Sequence, residues 1–208
     1  MDELLLHTCC GPCATVPLLE LTRDYRITAW FGNSNIQPQT EYQQRLSALK
    51  SLAEGSQVPV LEDCYAPDDW LQEVRFAGGV FALIDGDEKY DENRIARQRR
   101  CRACYRFRFK MLAQTAKAIG LEHISTTLSI SPYQFPEIIA MELEQAASIN
   151  GLQAVYIDFR PQFRQSQRLA QELGLYRQNY CGCGYSRQEA ELERQARRAA
   201  RKAQRENS

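Results

Sequence analysis

The sequence predicts an α/β protein with a parallel sheet and a helical C-terminal part. Short apolar runs at residues 4–6, 26–31 and 58–61 alternate with stretches of helical spacing, the pattern of βαβ steps with right-handed crossovers. A length of 208 residues suits one domain with a tail. The first knot of cysteines falls where a strand gives way to a helix, the end of a parallel sheet at which ligands bind.

The elements follow in order. Residues 4–6 form the first strand, ending at a Gly11-Pro12 loop, and residues 14–21 carry helical content. Residues 26–31 are the second strand. After GNSNIQPQ, Thr40 is expected to cap a helix whose Leu46, Leu49, Leu52 and Ala53 share a face and which Gly55 ends. Residues 58–61 are the third strand. Residues 66–100 are polar and dotted with glycine, read as a short helix near Trp70 plus a mobile excursion. Residues 104–119 return to helical spacing through Met111, Leu112, Thr115 and Ile119, with Gly120 as the stop. Residues 123–128 and 154–159 are further strand candidates on either side of a helix at about 136–150. A short helix at 165–173 is closed by Gly174. Residues 1–186 are thus expected to form a single α/β metal-binding domain. Residues 187–208, with seven Lys or Arg against four Glu, form a polar, basic, helix-prone tail. No apolar heptad marks that tail as a coiled coil.

Seven of the eight cysteines lie in three knots: Cys9, Cys10 and Cys13 in HTCCGPC, Cys101 and Cys104 in RCRACY, and Cys181 and Cys183 in YCGCGYS. Thiolates are soft ligands that select zinc, copper(I) or iron–sulfur clusters, so the knots point to a metal if the fold unites them. Cys64 stands alone and reads as a small buried hydrophobe. A disulfide framework competes with the metal reading, but a chain this long builds a core without staples. The opening MDELLLHTCC has neither a basic n-region nor an apolar run long enough for a signal peptide or membrane span. The expectation is a cytoplasmic protein with reduced thiols and no membrane partner. Adjacent Cys9 and Cys10 are expected to diverge and to suit different metals of a polynuclear centre. Four thiolates satisfy one structural zinc or one four-iron cluster, so seven leave enough for a second metal or a redox pair.

Formal net charge is zero, yet eight Lys or Arg and no acid lie between Arg94 and Lys110, interleaved with Tyr105, Phe107 and Phe109. Such a stripe suits a phosphate backbone, with Arg97, Arg99 and Arg100 as candidate contacts; the alternative is a solvated helix face. Tyr133 and Gln134 are candidates to stack on and read a base, and Arg177 and Gln178 to pair with phosphate. Asp158, at the end of a strand candidate, suits either ligation of a second metal and proton delivery or the capping of a turn. His7 either orients a cysteine or is a hydrogen-bonded core residue.

As a set, HTCCGPC, NxNIxP (Asn33, Asn35, Ile36, Pro38), EYxxR (Glu41, Tyr42, Arg45), RCxxCYxxR around Arg100–Arg108, TTLSISPYQ, YIDFR and LYRQNYCGC resemble the QueH type of epoxyqueuosine reductase. The resemblance runs from about residue 4 to residue 186 and departs from that family's pattern at Gly32, Ser34, Gln37 and Phe135. It implies reductive removal of the epoxide oxygen from epoxyqueuosine at the tRNA wobble position, the last step to queuosine. It also implies a 4Fe-4S cluster with an adjacent mononuclear iron, no cobalamin, an external low-potential electron donor, and a Rossmann-like nucleotide α-hydrolase (PP-loop-like) sheet. The seven clustered cysteines are then the metal ligands, and Asp158 and Cys13 the catalytic candidates. Two rivals stay open: an ATP-dependent PP-loop-like tRNA thiolase, disfavoured by the lack of a glycine- and serine-rich phosphate loop, and a zinc-stabilised RNA-binding module.

Overall fold

A computed structural model describes the backbone of residues 1–78 and 88–206 and the side chains of residues 1–75 and 94–204. Its five strands, β1 (Asp2–His7), β2 (Tyr25–Phe31), β3 (Val60–Glu62), β4 (His123–Thr126) and β5 (Gln153–Ala154), pair in parallel in the order β3-β2-β1-β4-β5. This is a Rossmann-like α/β sheet. The chain steps outward from β1 to β3 and then returns to the other side of β1, so a crevice opens between the carboxyl ends of β1 and β4. Central β1 is covered on both faces, which is why Leu4, Leu5 and Leu6 are all fully buried and apolar rather than alternating with polar residues.

The helices are α1 (Gly11–Leu21), α2 (Gln39–Gly55), α3 (Pro67–Gly78), α4 (Glu88–Ala118), α5 (Pro136–Asn150), α6 (Phe163–Glu172) and α7 (Gly184–Glu206). None of the described helices is long and apolar enough to cross a membrane. The start of α1 presses on α2: a Cβ on Gly11 would lie 2.7 Å from the Ala48 carbonyl oxygen, so this first-turn position has room only for glycine. That contact fixes the start of α1, and with it Cys10 and Cys13, against α2.

Several expectations shift. Pro38, not Thr40, occupies the N-cap of α2, and Thr40 lies inside the first turn. The third strand begins at Val60 rather than residue 58. Helix α4 starts at Glu88, well before residue 104. Its arginine-rich first half contains no Gly or Pro and consists largely of good helix formers, although its polarity hides a helical period. The mobile excursion expected between residues 66 and 100 falls mainly on residues 79–87, outside the described residues. Strand β4 stops at Thr126, whose Oγ1 accepts a hydrogen bond from the Leu128 amide and starts a short 3₁₀ turn over Thr127–Ile130. That turn leaves residues 157–159 without a neighbouring strand; β5 is Gln153–Ala154, with the Val155 amide still donating to the Ile124 carbonyl at 2.8 Å. Cys64 is exposed rather than buried, in the loop after β3.

Candidate metal centre

At the end of β1 the Thr8 amide and hydroxyl both donate to the Trp30 carbonyl, at 2.8 and 3.0 Å, which keeps the chain on the sheet for one more residue. Cys10 is still extended (φ −176°, ψ 164°) as the N-cap of α1. Because strand turns into helix here, the alternation of a strand is broken and neighbouring side chains converge. The sulfurs of Cys9 and Cys10 are 3.8 Å apart, and those of Cys9, Cys10 and Cys13 all lie within 4.8 Å of one another and are buried. The expected divergence of Cys9 and Cys10 is therefore not seen. At a metal–sulfur distance of about 2.3 Å, two thiolates on one tetrahedral ion sit about 3.8 Å apart, so this trio fits a thiolate-bound ion. Hydrogen bonds from the Cys10 and Cys13 thiols, helped by the charge of Arg108, hold Cys9 well below the usual thiol range. The same bonds push Cys13 up, and burial pushes Cys10 up. Of the three thiols, Cys9 is thus the first to ionise.

The other four cysteines form a second group. Cys101 and Cys104 lie one turn apart on α4, and Cys104 shares an apolar cluster with Cys183, Trp70 and Val74. Burial pushes the Cys101 and Cys104 thiols up, with Cys181 adding to both. Cys183 is raised to about 11, by burial and then by Cys181. The loop carrying Cys181 and Cys183 is held from α2. Arg45 donates to Glu41 Oε1 at 2.8 Å, the Cys181 carbonyl at 2.9 Å and the Tyr180 carbonyl at 3.0 Å. Gly182 has φ +137°, and a Cβ there would meet Ile36 at 3.0 Å and the Arg45 guanidinium at 3.3 Å, so the residue between the two cysteines has to be glycine.

Each group has an amide on its sulfur. Gln178 Nε2 donates to Cys10 Sγ at 2.9 Å, while Gln134 Nε2 donates to Cys181 Sγ at 3.4 Å and Gln134 Oε1 accepts from Tyr105 Oη at 2.6 Å. Arg108 influences Cys9 in the first group and Cys104 in the second. Among the described residues, Cys9, Cys10 and Cys13 are the group whose sulfurs lie within ligating reach of one another, at the carboxyl end of β1. A cleft of about 590 Å³ opens next to Gly184, lined by Gln37, Tyr65, Trp70, Tyr185 and Arg187 among others.

The remaining candidates scatter. Gln134 and Gln178 are half-buried and face sulfur. Tyr133 is exposed and packs edge-on against Phe163. Arg177 is exposed and donates to Gln167. Asp158 is exposed and grips Arg160 through both oxygens and the Arg160 amide, the geometry of a turn cap. His7 is a core residue, hydrogen-bonded to Thr126 Oγ1 at 2.8 Å and kept neutral by burial and by the Arg108 charge. The basic stripe is largely paired. Arg100 is buried against Glu189 at 2.6 Å and under the Tyr185 ring, and Arg97 reaches Glu189 and Phe135. Arg102 and Arg106 clasp Glu142 of α5. Arg94, Arg99 and Lys110 are exposed. The acids missing from the stripe in sequence come from α5 and α7 in space. Arg45, Arg108, Tyr105 and Trp70 were not named as site residues; Arg45 was marked by EYxxR, and Arg108 and Tyr105 by CYxxR and the basic stripe.

The model of the family "Epoxyqueuosine reductase QueH" matches residues 4–189. The epoxyqueuosine reductase QueH of Streptococcus pyogenes serotype M1 is 31% identical over 195 residues, covering 88% of this chain and 70% of that protein. That of Dehalococcoides mccartyi is 31% identical over 189 residues, covering 90% of this chain and 93% of that protein. That of Thermotoga maritima is 30% identical, covering 89% of this chain and 91% of that protein. Since the family match runs from ahead of Cys9 to beyond Cys183 and so takes in both cysteine groups, the chain belongs to the epoxyqueuosine reductase QueH family and is an oxidoreductase.

Proposed function

We propose that this chain reduces epoxyqueuosine to queuosine at the wobble position of tRNA, at a cysteine-bound 4Fe-4S cluster with an adjacent iron. The observation that carries this reading is the donor set: a buried trio of Cys9, Cys10 and Cys13 within ligating reach of one another, with four more free cysteines in the remaining knots. Soft thiolates in this number fit iron–sulfur chemistry and exceed what one structural zinc needs. Loss of an epoxide oxygen to leave an alkene takes two electrons and two protons and releases water. Iron held there would supply one-electron steps and a Lewis acid for the departing oxygen.

The chain's own residues hold and shape that site. Cys9, Cys10 and Cys13 form one ligand group, and Cys101, Cys104, Cys181 and Cys183 the other. In the metal-free protein Cys10 and Cys13 hold their protons more tightly than Cys9, and binding iron would release them. Trp70, Tyr105 and Phe109 exclude water from the inner side. Asp158, held by Arg160, caps a turn in this reading rather than serving as a ligand. Exposed Arg94, Arg99 and Lys110 give the tRNA a basic approach. Electrons come from an external low-potential donor, in the cytoplasm.

Metal and acid-labile sulfide measured in anaerobically purified protein test this. Iron with sulfide is expected, lowered by serine at any of the seven clustered cysteines and unchanged in Cys64→Ser. Zinc alone, with no sulfide, would favour an RNA-binding zinc module instead.

A further inference from the structure

The basic stripe contains one arginine that does not behave like the others. Arg108, on α4, is 2% exposed, so it cannot meet an RNA phosphate in this fold. Arg45 and Arg100, the other buried arginines, each have a carboxylate partner, Glu41 and Glu189. Among the described residues no carboxylate lies within ion-pair distance of Arg108. Its Nη2 donates to the neutral Asn33 side chain, which is itself buried and tied to the Thr8 carbonyl, and its guanidinium also hydrogen-bonds the Cys104 sulfur. Its Nε is buried with no acceptor. A guanidinium does not shed its proton in proteins, so the fold holds a full positive charge whose counter-ion is not a carboxylate. A buried charge left unmatched is among the most costly features a fold can carry.

The groups facing Arg108 show where the balance lies. They are Asn33, His7, Cys9 and Cys104. Cys104 lies one turn before Arg108 on α4, and Asn33, which accepts from Arg108, donates in turn to the carbonyl of Thr8 next to Cys9, so the sulfurs of both groups border the guanidinium. Cys9 belongs to one cysteine group and Cys104 to the other, so one guanidinium serves both.

We propose that Arg108 is the built-in counter-cation of the cysteine site, shared by its two groups, and not a contact for RNA. It is a positioning residue: it steadies the thiolates and raises the reduction potential of what they bind, since a nearby positive charge favours the more negative, reduced state. This rests on the metal-centre reading above.

The test compares the anaerobically loaded wild type with Arg108→Lys, Arg108→Gln and Asn33→Asp. The last keeps Arg108 but puts a carboxylate on it, and serves if Arg108→Gln does not fold. The readouts are midpoint potential, loss of metal to a chelator, and tRNA affinity as a function of salt. Arg108→Gln and Asn33→Asp should lower the potential and speed metal loss by about tenfold to a hundredfold, the range for residues that support metal ligands. Arg108→Lys should stay close to wild type, and the salt slope of tRNA binding should not change in any variant. Equal shifts in the Lys and Gln variants would overturn the proposal, because charge would then not be the cause. So would a normal potential in Arg108→Gln with a salt slope reduced by about one, the mark of a lost phosphate contact. A wild type that binds neither iron nor zinc refutes the metal-centre reading itself; a metal-loaded wild type with an indifferent Arg108→Gln refutes only the role of Arg108.

Discussion

Replacing Arg45 by Met should cost this protein about 3 kcal/mol of stability, and the structure shows why. The Arg45 and Glu41 side chains are 1% and 9% exposed, and the guanidinium makes three charge-assisted hydrogen bonds, to Glu41 and to the carbonyls of Tyr180 and Cys181. Met fills the space of the stem, so the loss is one of charge and hydrogen bonds rather than a cavity. Removing one partner of a buried pair typically costs about 3–5 kcal/mol, because the other charge is left uncompensated. Glu41 keeps the hydrogen bond donated by Tyr176 at 2.6 Å, which places the estimate at the lower end. Urea unfolding of the reduced, metal-free protein measures it. A cycle with Glu41→Gln should give a coupling of about 1–3 kcal/mol. A loss below about 1 kcal/mol with no coupling would refute the view that this pair anchors the Cys181–Cys183 loop.

Two further outcomes follow from the same geometry. Gly182→Ala should destabilise the metal-free protein by about 1–3 kcal/mol through its positive φ and the approach of Ile36 and Arg45, and should also weaken metal retention; thermal unfolding and metal content read the two effects. Burial works against the charged form of Glu142, yet the hydrogen bonds from Arg106 and Arg102 hold it below its ordinary value of 4.5. A depressed carboxylate stabilises above its unfolded value and loses that contribution as pH falls through its folded one. The stability gap between wild type and Glu142→Gln should therefore be about 1 kcal/mol near neutrality, after discount for the half-exposed arginines, and should close as pH falls below the ordinary carboxylate value and through the lower folded one. A gap that widens in acid would contradict this.

The parts of the fold legible in the sequence were those whose period and punctuation agree. Buried β1, the α5 helix with Pro136 at its start and Gly151 at its end, and the switch point after β1 could be read from local pattern. The first half of α4 could not, because its hydrophilic arginines find their acids on α5 and α7, and spacing along a chain does not show partners from distant elements. For the same reason Gln134 and Gln178 looked like RNA contacts, whereas the fold turns both amides onto sulfur. The cysteines were visible because seven thiols in three knots need little context. Their division into three and four was not, since it depends on how α4 crosses the end of the sheet.

The most direct test of the proposed chemistry is nucleoside analysis by mass spectrometry of epoxyqueuosine-bearing tRNA incubated with the iron-loaded, reduced protein, without oxygen or cobalamin. The prediction is that epoxyqueuosine disappears and queuosine appears in equal amount, that exposure of the protein to oxygen abolishes the conversion, and that serine at Cys9 or Cys104 does the same. An untouched epoxide with fully loaded protein, together with ATP-dependent transfer of sulfur into the tRNA, would contradict the account and favour a thiolase.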